Sequence, residues 1–280
     1  MREYIFNTRK ELGLSREDVC KDICSPMSLY RFEYGINDMS INQMLKICQK
    51  LKIYEINIKN YGLTTEEVCF LDEALKIIYN EDAKSLKELV DSNTFEYPSE
   101  LFSNIVQWII SVIHYYNDEL DIAKRMLYQI NPRLKIENPI DIHVLNSIAL
   151  ILIKESKIKD AYKILNKCIN SKFFEKLDLN NSHIKIKYNY ARCCYKLQRE
   201  DEAYSLLLEL ENILLEKHSN FMLGKILYFK YLCCIRMNKI DDAIQNLKRS
   251  FSAFYIDEHS NNKYLITVIN KLKDHKIDVY

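Results

Sequence analysis

Apolar and polar positions along this chain recur with a helical beat and with a longer period laid over it. Five stretches place an alanine close behind acidic residues and ahead of aliphatic ones: "NEDAKSLKEL" at Ala83, "ELDIAKRML" at Ala123, "KIKDAYKIL" at Ala161, "REDEAYSLL" at Ala203 and "KIDDAIQNL" at Ala243. They follow one another at intervals of 40, 38, 42 and 40 residues, a repeat length at which one helical hairpin stacks on the next. In the last four, apolar residues at +3, +4 or +7 share one face of a helix, and the acids ahead of the alanine suit the positive end of the helix dipole. Each alanine therefore predicts the opening of a second helix. Twelve residues before three of them stands another small residue, Ser111, Ala149 and Ala191, with Tyr231 in the last copy. Two helices cross closely only where their side chains are small, so this phase predicts hairpins whose first helices read "SNIVQWIISVIHYY", "IHVLNSIALILIK", "HIKIKYNYARCCYKL" and "FMLGKILYFKYLCCIRM".

The first 53 residues carry a different pattern. Short apolar-periodic segments, "EYIFNTRKELG", "LSREDVCKDI", "SPMSLYRFEYG" and "SINQMLKICQKLKI", alternate with helix-start residues. Ser15 with Asp18 forms a capping box with a shortened acid, and Ser40 precedes another amphipathic run. Four or five short helices are expected. In the third segment Leu29 and Phe32 are spaced to face a bundle, which leaves Met27, Ser28, Tyr30 and Arg31 outward. A mixed hydrogen-bonding and cationic face of this kind suits base edges and phosphates.

Composition sharpens this picture at a few points. Only four glycines and four prolines occur in 280 residues, too few for sheets joined by tight turns, so the fold class is expected to be all-α. A net charge of +1 carries no whole-chain sign of a polyanionic partner; ten basic against eight acidic residues over residues 1–60 leave that segment at only +2. No stretch approaches the roughly 18 apolar residues of a membrane span, and residues 1–12 hold charges throughout, so a cytoplasmic protein without membrane contact is expected. Nine cysteines without a secretory leader point to reduced thiols. The pairs Cys193-Cys194 and Cys233-Cys234 lie 40 residues apart; adjacent positions on a helix diverge by about 100°, which favours core packing over metal binding. With no HExxH or CxxC grouping, Gly-rich phosphate loop or GxSxG elbow, no metal, no cofactor and no enzymatic activity are expected.

The hairpins resemble the tetratricopeptide family over residues 64–256, with a longer period and without its closing proline. That likeness implies a right-handed α-solenoid whose concave face is lined by the first helix of each hairpin. Groove candidates in this register are Trp108, His143, Asn146, Lys154, Lys185, Tyr188, Asn189, Arg192, Lys225, Tyr228 and Arg236. Of these, Trp108, Asn146, Lys185, Tyr188, Asn189, Arg192, Lys225 and Tyr228 are the expected peptide contacts: asparagine pairs with both peptide N–H and C=O, and lysine or arginine with carboxylates. The N-terminal order Arg9, "GLSREDVC", Ser25, Leu29, "RFEYG" and "SINQMLKICQKL" resembles the Xre/Cro type of helix-turn-helix domain. The resemblance implies that residues 25–34 enter the major groove, that Arg16 meets a phosphate, and that Arg9 pairs with Glu33. It marks Arg16, Ser25, Met27, Ser28, Tyr30, Arg31 and Asn37 as DNA contacts. The turn departs from that family, with Ile23-Cys24 where it carries glycine.

Joined through "NIKNYGLTTEE", a DNA-binding domain over residues 1–60 and a repeat domain over 61–280 are similar in architecture to the peptide-responsive transcription regulators of Gram-positive bacteria, the Rgg and PlcR group. The resemblance implies a homodimer on promoter double-stranded DNA, switched by a short signalling peptide in the repeat groove. Two readings from other classes stay open: a protein-interaction adaptor, and a phage-type repressor without a peptide ligand.

Overall fold

A computed structural model describes residues 2–51, 63–93, 99–174, 177, 181–256 and 262–277. Among these every regular element is an α-helix. The helices α1 (Arg2–Glu11), α2 (Arg16–Cys20), α3 (Pro26–Glu33) and α4 (Ile41–Lys50) come first, followed by α5 (Thr65–Tyr79), α6 (Ala83–Ser92), α7 (Glu100–Tyr116) and α8 (Leu120–Ile130). Then come α9 (Pro139–Lys154), α10 (Ile158–Ile169), α11 (Asn181–Lys196), α12 (Glu200–Glu216), α13 (Leu223–Arg236), α14 (Ile240–Ile256) and α15 (Asn262–Asp274). The chain forms two compact units, Met1–Ile140 with Lys176–Asp178, and Asp141–Glu175 with Leu179–Tyr280. The expected boundary at 60/61 and most of the expected linker lie outside the described residues.

The repeat pattern has a direct packing origin. Ala123 with Leu127, Ala161 with Leu165 and Cys168, Ala203 with Leu207, Leu210 and Leu214, and Ala243 with Leu247, Ser250 and Phe254 are all buried, one stripe per second helix. Ser111, Ala149 and Ala191 are sealed on the first helices. In the last hairpin the close crossing has moved from Tyr231 to Gly224: a Cβ there would lie 2.8 Å from the Phe254 ring, and Ser250 Oγ donates to the Gly224 carbonyl at 2.8 Å. Ala83 is only half-buried at the first position of α6, so the first copy is the weakest. Cys193, Cys194, Cys233 and Cys234 are fully buried, as core packing requires.

The hairpin turns explain how the chain manages with so little glycine. Asp118, Ser156, Gln198 and Asn238, each five residues before a repeat alanine, take left-handed φ values of 64°, 62°, 61° and 59°. At each turn the next residue donates six-to-one back into the first helix, as in Glu119 N–H to His114 C=O and Lys239 N–H to Cys234 C=O, both 2.9 Å. These bonds satisfy carbonyls that the helix end leaves open. α15 was not foreseen from the periodicity; Val268 and Leu272 bury it in the core that includes Tyr228, Leu247 and Phe254.

Unit 2 also holds charge in its interior. Lys230 Nζ donates to Glu211 Oε2 at 2.5 Å with both side chains 4% exposed, and Arg249 bonds the other oxygen of Glu211. Burial alone would raise the Glu211 carboxyl, but the hydrogen bonds and charges of Lys230 and Arg249 outweigh it and hold the group below its ordinary range. One carboxylate thereby ties α12, α13 and α14 together.

Candidate functional site

The first candidate surface is built on α3. Ser25 caps the helix, its Oγ accepting from Ser28 N–H at 3.1 Å, and Pro26 sits in the first turn where its missing N–H costs nothing. Leu29 and Phe32 are buried against Ile5, Val19, Cys20 and Ile47. On the opposite side Met27 (58%), Tyr30 (38%), Ser28 and Arg31 are exposed, and Asn37 is exposed in the segment beyond. Tyr34 and Ile36 widen this face and were not foreseen; both are more than half exposed. The capping box at the start of α2 forms in both directions, Ser15 N–H to Asp18 at 2.9 Å and Asp18 N–H to Ser15 Oγ at 3.1 Å.

At the end of α3 lies an ion triad of buried Arg9 and Glu33 side chains with a half-buried Arg16. Arg9 grips Glu33 through two bonds of 2.7 and 3.1 Å, the pair expected from the sequence. Arg16 donates to the same carboxylate at 2.7 Å and lies 5.0 Å from the Tyr30 ring centroid. Arg16, expected to meet a phosphate, turns its Nε inward onto Glu33 while its side chain stays 26% exposed. The turn into α3 is also clarified. Asp22, with φ 65°, takes the left-handed position, so the glycine substitute is Asp22 and not Ile23-Cys24. Asp tolerates that region better than most residues.

The second candidate lies in unit 2. Asn189 Nδ2 on α11 donates to Asn146 Oδ1 on α9 at 3.0 Å, and Arg192 Nη1 reaches Asn189 Oδ1 at 3.5 Å. The Arg192 guanidinium lies 5.8 Å from the ring centroids of both Tyr188 and Phe229, while its Nε is buried and without a hydrogen bond among the described residues. Lys225 sits 5.1 Å from the Tyr264 ring, and Lys185 is half-buried. Five groove candidates are far less open than their register suggested. Tyr188 and Asn189 are 3% exposed and Tyr228 9%, all within helix packing. Trp108, in unit 1, is 2% exposed on the buried face that also carries Ile105, Ile109 and Val112, away from the polar face of Ser103, Gln107 and His114. His143, another register candidate, is buried as well. Phe229 and Tyr264 were missed, the first because it adjoins a residue already assigned and the second because α15 has no repeat signature.

Among the described residues no group of three or more His, Cys, Asp or Glu side chains is arranged to hold a metal ion, and no helix is long and apolar enough to cross a membrane.

The architecture has solved counterparts. PlcR of Bacillus thuringiensis, solved with the peptide PapR7 and DNA, superposes with a TM-score of 0.62 at 20% identity over 96% of this chain and 98% of its own. ComR from S. thermophilus, solved with DNA and its signalling peptide ComS, gives 0.54 at 14% identity over 97% and 98%. ComR from Streptococcus vestibularis, solved with its cognate signalling peptide XIP, gives 0.52 at 11% identity over 99% and 98%. At these identities the likeness is one of fold. No curated protein matches by sequence. Residues 66–274 match the RNPP family C-terminal domain, a span covering most of the chain, and the chain belongs to the RNPP family.

Proposed function

We propose that this protein is a cytoplasmic transcription regulator that binds promoter DNA as a homodimer and changes activity when a short signalling peptide occupies a right-handed solenoid of hairpins. Residues 1–60 act as the DNA-binding domain and residues 61–280 as the peptide-binding and dimerising one. The observation that carries this reading is the exposure of Met27, Ser28, Tyr30 and Arg31 on one face of α3 while Leu29 and Phe32 anchor the other. A helix so mounted presents donors, a cation and apolar contacts to a major groove. Ser25 and Asn37 flank the contact, and Arg16 supports it from behind by fixing Glu33 and stacking on Tyr30. Support also comes from the solved relatives, which hold DNA, a signalling peptide or both.

The peptide site centres on Asn146, Asn189 and Arg192, backed by the buried Tyr188 and Tyr228, with Lys185 and Lys225 as further contacts. Arg192 brings an unused buried donor, matched to a carbonyl or carboxylate of the ligand. The peptide switches the protein only by binding one arrangement of the DNA heads better than another. The test is retention of genomic DNA fragments with and without short synthetic peptides. Arg31→Ala combined with Ser28→Ala abolishes specific retention, whereas Asn189→Ala keeps DNA binding and loses the peptide response. An adaptor retains no DNA in any variant, a peptide-blind repressor retains DNA unchanged by every peptide, and either result overturns the proposal.

A further inference from the structure

Two thiols meet across the turn that delivers α3. Cys24 Sγ lies 3.5 Å from Cys20 Sγ. Cys20 is 2% exposed in the N-terminal core, whereas Cys24 is only half-buried at its edge. Between them the backbone makes one turn, closed by Cys24 N–H to Cys20 C=O at 3.1 Å, with Asp22 in the left-handed region. One such turn separates Cα atoms by roughly 6 Å, within the span a disulfide bridges. Bringing the sulfurs to the bonded distance of about 2.05 Å closes a gap of roughly 1.5 Å, within reach of side-chain rotation and a small adjustment of the turn. The ammonium of Lys50 stands at the same place, donating to the Lys21 carbonyl at 2.8 Å. The adjacent pairs Cys193-Cys194 and Cys233-Cys234 have no comparable arrangement, since each lies on one helix and is fully buried.

We propose that Cys20 and Cys24 form an oxidation site that closes to an intramolecular disulfide when the protein meets a peroxide. The more exposed Cys24 sulfur attacks hydrogen peroxide; the O–O bond breaks, sulfenic acid forms and one water leaves. The Cys20 sulfur then attacks the Cys24 sulfur, the S–S bond forms as the S–O bond breaks, and a second water departs. Two thiols lose two electrons and two protons, and one peroxide becomes two waters. Burial and the neighbouring Cys24 thiol push Cys20 up to about 12, which leaves the less buried Cys24 as the sulfur that meets the peroxide first. Cys24 directly precedes Ser25, the residue that caps α3, so closing the bond displaces the start of that helix. The site stands on its own geometry; only this consequence rests on the DNA-binding reading.

The full-length protein is treated with hydrogen peroxide, its free thiols are alkylated, and it is digested with trypsin without reduction. Lys21 lies between the two cysteines, so cleavage yields "EDVCK" and "DICSPMSLYR", which stay joined only through the disulfide. The joined pair appears in oxidised wild type and separates on reduction, Cys24→Ser lacks it, and titratable thiols in the denatured protein fall by two from nine. Retention of a DNA fragment weakens at least fivefold on oxidation in wild type and is unchanged in Cys24→Ser. Absence of the joined peptides, or linkage of Cys20 to Cys48 instead, overturns the site. Joined peptides in a protein that retains no DNA in either redox state uphold the site and count against the DNA-binding reading.

Discussion

Single residues in this protein work mostly through burial. His143 and His183 are both 7% exposed, and burial pushes each imidazole down to about 4, with Lys187 and Lys217 adding to the effect at His183. His183 packs on the Phe174 ring at 4.3 Å, and its Nδ1 is buried without a hydrogen bond among the described residues. Both groups have folded values below the ordinary 6.5, so the unfolded chain takes up protons that the folded one refuses. Stability is fully present above about pH 6.5 and is lost as pH falls toward 4, by up to ~1.4 kcal/mol per pH unit for each histidine. Urea midpoints measured at pH 7 and pH 5 show this loss, and replacing both histidines by glutamine narrows the gap. The histidines are visible in the sequence as residues, but their neutrality is not, since nothing local distinguishes a buried imidazole from an exposed one. Arg16 makes the same point. Its position and charge were legible, whereas its inward turn depends on Glu33, 17 residues away.

At the level of elements, helix crossings and hairpin turns decide stability. Gly224→Ala places a methyl group 2.8 Å from the Phe254 ring, a contact that forces the α13–α14 pair apart. A loss of about 1–3 kcal/mol follows from overpacking, read as a lower thermal midpoint with unchanged helical circular dichroism at low temperature. The turns behave oppositely. Gln198 holds a left-handed φ of 61°, a conformation costing an ordinary L-residue ~1–2 kcal/mol, while glycine gives back roughly 0.5–1 kcal/mol through its freer unfolded chain. Gln198→Gly therefore raises the thermal midpoint by up to about 4 °C, and Asn238→Gly leaves it nearly unchanged, because asparagine already visits this region readily. The repeat alanines announced the second helices because each stripe is local to one helix. The shift of the close crossing from Tyr231 to Gly224 was not legible: which turn of α13 meets α14 is settled by the shape of Ser250 and Phe254, 26 and 30 residues beyond Gly224.

For the whole molecule, charge is the property that governs encounters. With a net charge of +1, and only +2 over residues 1–60, the proposed DNA retention rests on a few well-placed cations. Each phosphate neutralised contributes about 0.9 to the slope of log affinity against log salt, so Arg31→Ala lowers that slope by about one, whereas Lys84→Ala on α6 leaves it unchanged; equal slopes for wild type and Arg31→Ala remove Arg31 from the DNA contact. The sequence by itself determined the helical class, the repeat spacing, the hairpin partners and the anchoring of α3, because these follow from periodicity and capping within about 40 residues of chain. Only the tertiary structure decided that Trp108, Tyr188 and Tyr228 are sealed, that Glu33 and Glu211 gather two cations each, and that Cys20 meets Cys24. Burial and pairing are set by what several helices bring to one point, and a one-dimensional pattern records the faces of a helix without recording what covers them.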